Sequence, residues 1–334
     1  MRAAARHQRW AGPPPLLLLA TVVGFLASWG LSAAGDPAPD PALDRAELAA
    51  VESTPAPTAK GPRPAAEQGK LIKRTHTIGV VTFNQYRKLS AAQALSDARS
   101  ITQRPQVDIV GWQEAYTSAP VFEALRKQGW DTRQFPRRGQ ELAVSWRRAD
   151  FELVSSAVRL VARGMGADIG RYPFRGRYVV RVTLRHRDTG LLMSVINTHL
   201  PQKIEDFNRP GRWTTTANSI RAQYQLDRMT REWKHAPGRW VVGTGDYNVD
   251  ARVDARLGLP GGPLAELGDL AVPSYARLGI QGVRPTHPPT GPMIDYVFAK
   301  RSDLEKDRVR FVSQRVLGNL LSDHNALLAR LELR

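Results

Sequence analysis

One stretch constrains this chain more than any other: Arg239-Trp240-Val241-Val242-Gly243-Thr244-Gly245-Asp246-Tyr247-Asn248, an apolar run that stops on glycines and polar side chains. Trp240 to Val242 read as a buried strand, and Gly243 and Gly245 let backbone or ligand come close where it ends. Asp246 and Asn248 are two residues apart, so extended geometry sends both side chains to one face and Tyr247 to the other. A carboxylate and a carboxamide then converge at the end of a rigid strand, where catalytic groups commonly sit. Gly, Asp and Asn are also ordinary turn formers, so this run needs company before it denotes a site.

The company comes from other strand ends. Ile78, Val80 and Val81 lead to Asn84, Val107 to Trp112 lead to Gln113-Glu114, and Leu191 to Ile196 lead to Asn197-Thr198-His199. Asp295 sits inside the apolar run Met293 to Phe298, where a carboxylate needs a cation or donor, and His324 is a plausible partner. Asp323-His324 precedes a closing strand to Leu333. Between these strands lie helical spacings over 90–103, where Ser90 is placed to cap, and over 118–128 and 212–234. Val249 to Pro292 reads as loop. Arg177 to Arg187 divides by parity: Tyr178, Val180, Val182 and Leu184 share one face, and Arg177, Arg181, Arg185 and Arg187 share the other. That basic face is a candidate substrate contact.

Cysteine is absent, which excludes disulfides, thiolate metal sites and cysteine nucleophiles. The net charge is +17, and seven Lys/Arg against six Asp/Glu in residues 1–70 leave +16 for the remainder. Such a field suits polyanions such as nucleic acid, or an anionic membrane surface. Arg2, Arg6 and Arg9 precede an apolar segment, Leu16 to Leu31, followed by Ser32-Ala33-Ala34. Residues 1–34 therefore read as an export signal for a secreted protein, with a short membrane anchor as the alternative. Residues 35–70, rich in Pro and Ala without aromatics, read as a disordered linker, and 71–334 as the folded domain.

In order, Thr82-Phe83-Asn84, Gln113-Glu114, Asn197-Thr198-His199, Gly245-Asp246-Tyr247-Asn248, Ile294-Asp295-Tyr296 and Ser322-Asp323-His324 resemble the motifs of the endonuclease/exonuclease/phosphatase superfamily. That group includes pancreatic-type deoxyribonuclease, abasic-site endonucleases, sphingomyelinases and inositol polyphosphate phosphatases. The resemblance implies an α/β four-layer sandwich of two packed mixed β-sheets flanked by helices. It also implies phosphodiester hydrolysis with Mg²⁺, or Mn²⁺ or Ca²⁺, a choice that the oxygen-rich, thiolate-free donors independently favour. By matching position, Glu114 would be the principal metal ligand, with Asn84 and Asp323 completing or orienting the shell. Asp246 would orient or activate water, Asn248 hold the phosphate and His199 contact it. His324, oriented by Asp295, would be the acid/base or charge-stabilising histidine. His76, His186, His235 and His287 fall outside the motifs and receive no role. The leading expectation is a secreted nuclease acting on DNA or RNA. A sphingomyelinase-like lipid phosphodiesterase is the enzymatic alternative, and an inactive polyanion-binding protein on the same fold is the alternative of another class.

Overall fold

The computed structural model of the protein describes residues 54–55, 75–116, 118–163, 176–206, 208–209, 212–257 and 261–334. The export segment, and the linker apart from Thr54 and Pro55, lie outside the described residues.

Two sheets form the centre. In spatial order, one holds β1 (Thr54–Pro55), β6 (Phe151–Ala162), β7 (Arg177–His186), β8 (Leu192–His199), β9 (Trp240–Asp246), β11 (Asp295–Lys300) and β10 (Ala271–Pro273). The other holds β12 (Val309–Leu317), β13 (Ala326–Leu333), β2 (His76–Asn84), β3 (Ile109–Gln113), β5 (Ala143–Arg147) and β4 (Trp130–Gln134). Among the described strands β8 runs parallel to β9 and β2 to β3, and the remaining pairings are antiparallel. The C-terminal ends of β8 and β9 thus meet the N-terminal end of β11, with Asp246 in register with both His199 and Asp295. In the second sheet the ends of β2 and β3 meet the beginnings of β5 and β13.

Alternation along the strands decides which side chains meet the opposite sheet. Ile78 and Val80 of β2, Ile109 of β3 and Val144 of β5 join Val182, Val195 and Val242 in a core between the sheets. Their neighbours of opposite parity, Val81, Phe83, Val110 and Trp112, pack outward against α1 (Ala91–Thr102) and α2 (Ala119–Arg126). Ser90 caps α1 as expected, in a reciprocal box with Gln93. On the far side, α3 (Ala217–His235) lays Leu226, Met229 and Trp233 on the first sheet, with Trp233 edge-on to Phe298. Helix, sheet, sheet, helix is the layering the resemblance implies. Each fully buried aliphatic side chain contributes about 1.5–3 kcal/mol. A one-residue slip would turn these faces inside out, so the core fixes the register.

Three details differ from expectation. The presumed loop from Val249 to Pro292 contains α4 (Ala251–Leu257), α5 (Pro263–Leu267), β10 and α6 (Ser274–Leu278), each too short to show a period. β4 was unanticipated because Trp130 is its one fully buried residue. Asp295 opens β11 instead of lying within it, which puts its carboxylate at the common strand-end edge.

Candidate active site

The parity that builds the inter-sheet core also aims the polar groups at its end. Asn84 shares its face with Val80, Asp246 with Val242, His199 with Val195, and Asp295 with Val297. Just beneath them Asn197, wholly buried, bridges the sheets. Its Oδ1 accepts from Gln113 Nε2 at 2.7 Å and Thr244 Oγ1 at 3.1 Å, while its Nδ2 donates to the carbonyls of Trp112 and Ala143. A Cβ added to Gly111 would lie 2.0 Å from Thr244 Oγ1, so glycine is what allows this close approach of the sheets.

Asp246 is the hub. Its Oδ2 accepts from Asn84 Nδ2 at 3.0 Å, and its Oδ1 accepts from the Asn248 backbone N–H at 2.9 Å. His199 Nε2 stands 3.4 Å from Oδ2, and His324 Nε2 stands 3.7 Å from the same atom. Each imidazole is held from behind by an acid, His199 Nδ1 by Glu141 Oε2 at 3.1 Å and His324 Nδ1 by Asp295 Oδ2 at 2.9 Å. Burial by itself would depress both histidines; the carboxylates outweigh it, raising His199 and carrying His324 up to about 10. Burial opposes the charge on Glu141 as well, and Arg177 with His199 overcomes it, holding the carboxyl well below the usual range.

Glu141 is the site residue the sequence did not single out. It sits 6% exposed and accepts two bonds from Arg177 Nη1, at 2.9 and 3.2 Å, and one from Tyr116 Oη at 3.1 Å. The signal was available: Glu141 stands just ahead of β5, whose N-terminal end lies on the same edge as the C-terminal ends of β2 and β3.

Glu114 and Asn248 hold left-handed backbone, φ 53° and 51°, conformations that cost of order 1 kcal/mol or more and persist where surroundings enforce them. Asn248 also donates through Nδ2 to the Leu200 carbonyl at 3.0 Å, and Tyr247 turns the other way to pack on Tyr296 and Phe298. Glu114 Oε2 accepts from the Arg87 backbone N–H at 3.1 Å. Asp323, still partly open to solvent, is raised first by burial and further by repulsion from Glu114 and Asp246, against the pull of His324. Carboxylates that repel one another in this way are the kind of oxygen donors a hard divalent cation takes, and Glu114 and Asp323 are near enough to do so. Asn84 Oδ1 accepts from the Tyr86 N–H as well, which fixes its orientation.

On the basic face of β7 the arginines meet acids. Arg181 pairs with Glu232 of α3 at 2.8 Å, and Arg185 with Glu152 of β6 at 3.0 Å, Glu152 also receiving Arg187. Neither Arg181 nor Arg185 offers the open cationic ladder their parity implied, because acids distant in sequence pack onto that face. Of the four, Arg177 alone reaches Glu141 beside His199. An open cleft of about 550 Å³ adjoins Asp323, walled by Arg284, Pro288, Pro289, Asn319 and Leu320. His287 lies beside it, and burial together with His324 lowers this imidazole to about 4.

No family profile matches the chain. No curated protein matches it either. Solved structures do: a D. rerio TDP2 complexed with a single-strand DNA product is 14% identical, covers 76% of this chain and 98% of its own, and superposes with a TM-score of 0.56. An endonuclease/exonuclease/phosphatase protein from Bacteroides vulgatus gives 21%, 78%, 100% and 0.55 in the same terms. A mannosyl-6-phosphatase of Bacteroides thetaiotaomicron gives 16%, 76%, 99% and 0.53. The fold is that of the endonuclease/exonuclease/phosphatase proteins. Two of these neighbours differ in printed description, one complexed with a DNA product and the other a sugar phosphatase, so the shared fold does not by itself name a substrate.

Proposed function

We propose that the protein is a divalent-metal-dependent phosphodiester hydrolase whose substrate is nucleic acid. The observation that carries this reading is Asp246 Oδ2 flanked by two histidines, each backed by its own buried acid. In hydrolysis, water attacks phosphorus, a P–O bond to the leaving oxygen breaks, and one proton moves from the water to the products. Asp246 is placed to orient that water and draw its proton. His199, whose cationic form Glu141 favours, offsets charge gathering on the phosphate, and Asn248 positions it. His324, oriented by Asp295, holds a proton for the leaving oxygen. A divalent cation held by Glu114 and Asp323, with Asn84, would supply further charge neutralisation at the phosphate.

Nucleic acid is favoured by the +16 carried outside residues 1–70 and by the Arg284-bordered cleft beside the site. The TDP2 neighbour is itself complexed with single-strand DNA. Export is part of this reading and rests on residues 1–34 alone; intact-mass measurement of secreted protein should find a new N-terminus near Gly35. The deciding experiment incubates purified protein with Mg²⁺ or Mn²⁺ and single-stranded DNA, plasmid, RNA or sphingomyelin vesicles. Cleavage of nucleic acid that stops in chelator and in Glu114→Ala supports the reading. Turnover unaffected by chelator removes the metal, and preference for sphingomyelin moves the assignment to lipid.

A further inference from the structure

His287 received no role from sequence, yet it stands edge-on to His324, ring centroids 4.8 Å apart at 63°. Ligand atoms of His287, Asp323 and His324 all lie within 4.8 Å of one another. We propose that these three side chains form a second metal site, selective for zinc-like ions, which shares Asp323 with the oxygen-ligated position at Glu114 and so competes with it.

The orientation of the rings carries the argument. His287 Nδ1 is bound to Thr290 Oγ1 at 2.6 Å, leaving Nε2 as the free nitrogen, 3.9 Å from Asp323 Oδ2. His324 Nδ1 is bound to Asp295, leaving its Nε2 in the same way. A metal-binding imidazole characteristically has its remote nitrogen tied to a carboxylate or other polar group, and both rings here meet that condition. A tetrahedral shell with bonds of 2.0–2.2 Å sets neighbouring ligand atoms roughly 3.3–3.6 Å apart, so the His287–Asp323 pair is within a few tenths of an ångström of it. Two imidazoles and one carboxylate suit zinc better than magnesium, and three protein ligands leave a fourth position open. The loop bearing His287 is held independently of any ion: Thr286 Oγ1 accepts from Ile294 N–H, and the Thr286 and Pro285 carbonyls accept from Asn325. Access is open, the Asp323 side chain being 31% exposed and that of His287 16%.

Filling this site would take Asp323 from the oxygen-ligated position and turn His324 Nε2 away from Asp246, so zinc would inhibit hydrolysis. Metal-stripped full-length protein should be titrated with Zn²⁺ by calorimetry and with Co²⁺ by its visible absorption. One equivalent should bind in the wild type and in Glu114→Gln. In His287→Ala, or His287→Gln if the alanine variant folds poorly, affinity should fall at least about a hundredfold; Thr290→Val should weaken it about 10–100-fold. Zinc binding as tight in folded His287 variants as in wild type overturns the proposal, as does a Co²⁺ spectrum that His287→Ala leaves unchanged. Relief of zinc inhibition in His287→Ala, with the Mg²⁺-supported rate kept within about twofold, is the arm that rests on the hydrolase reading. The binding arm decides the site even in a protein that cleaves nothing.

Discussion

Glu141→Gln isolates what His199 needs from its neighbour. The amide keeps the shape but removes the charge that raises the imidazole and leaves Arg177 without its acid. Activity should fall about two orders of magnitude, close to the loss in His199→Ala, with kcat affected more than KM. Circular dichroism must show an intact fold in both variants, and a near-normal kcat in Glu141→Gln would dissociate the pair from the chemistry. The second pair should be graded. His324→Ala removes the group facing Asp246, whereas Asp295→Asn retains a side chain that can still orient the ring through its carbonyl. Steady-state rates should therefore rank wild type, then Asp295→Asn, then His324→Ala, with at least about a hundredfold loss in the last. The reverse order would give Asp295 a direct part in the reaction.

At the scale of elements, β7 and the helices after β9 carry the informative changes. Arg181→Ser should leave the salt dependence of nucleic-acid binding unchanged, because its guanidinium is committed to Glu232, which is 2% exposed and shared with Arg159. Its effect should appear as instability of about 1–3 kcal/mol in urea unfolding, from a buried carboxylate losing one partner. A flattened salt slope would return Arg181 to the substrate. In α4, Asp254 is wholly buried, accepts from the Leu264 N–H and Tyr275 Oη, and is raised to about 7, chiefly by burial. The unfolded carboxyl ionises near 3.8. Between pH 3.8 and 7 the folded state therefore binds the extra proton, so this group's contribution to stability is lost as pH rises through that window. Asp254→Asn should flatten the limb and gain on the order of 1–3 kcal/mol at pH 8. Urea midpoints at pH 5 and pH 8 that shift equally in mutant and wild type would contradict it.

For the molecule as a whole, the site exists because two sheets end together. His199, Asp246 and Asp295 come from one sheet, while Asn84, Glu114, Glu141 and His324 come from the ends of strands in the other. Asn197 ties them just below. Asn197→Ala strands Thr244 Oγ1 in the interior, takes from Gln113 Nε2 the shortest of its hydrogen bonds and opens a cavity, costing about 2–4 kcal/mol. Because the two halves of the site would lose their common spacing, activity should fall even at temperatures where the variant is folded. Unfolding curves and initial rates measured together test this, and wild-type kinetics in a destabilised Asn197→Ala would confine the residue to stability.

Much of this was legible locally. The apolar runs Ile78 to Asn84 and Trp240 to Asp246 revealed the strands, and parity, a property of the strand itself, gave the face their terminal polar groups share. The capping box of α1 was equally local. What the chain could not disclose alone were partnerships between remote segments. His199 meets Glu141 from 58 residues away, Arg181 meets Glu232 from 51, and Asn84 meets Asp246 from 162. Parity assigns a side chain to a face but not to an opponent. Only the pairing of β6 with β7 and the packing of α3 on β7 turned a presumed cationic ladder into closed ion pairs, and only the packing of sheet on sheet drew two separate histidines onto one carboxylate oxygen.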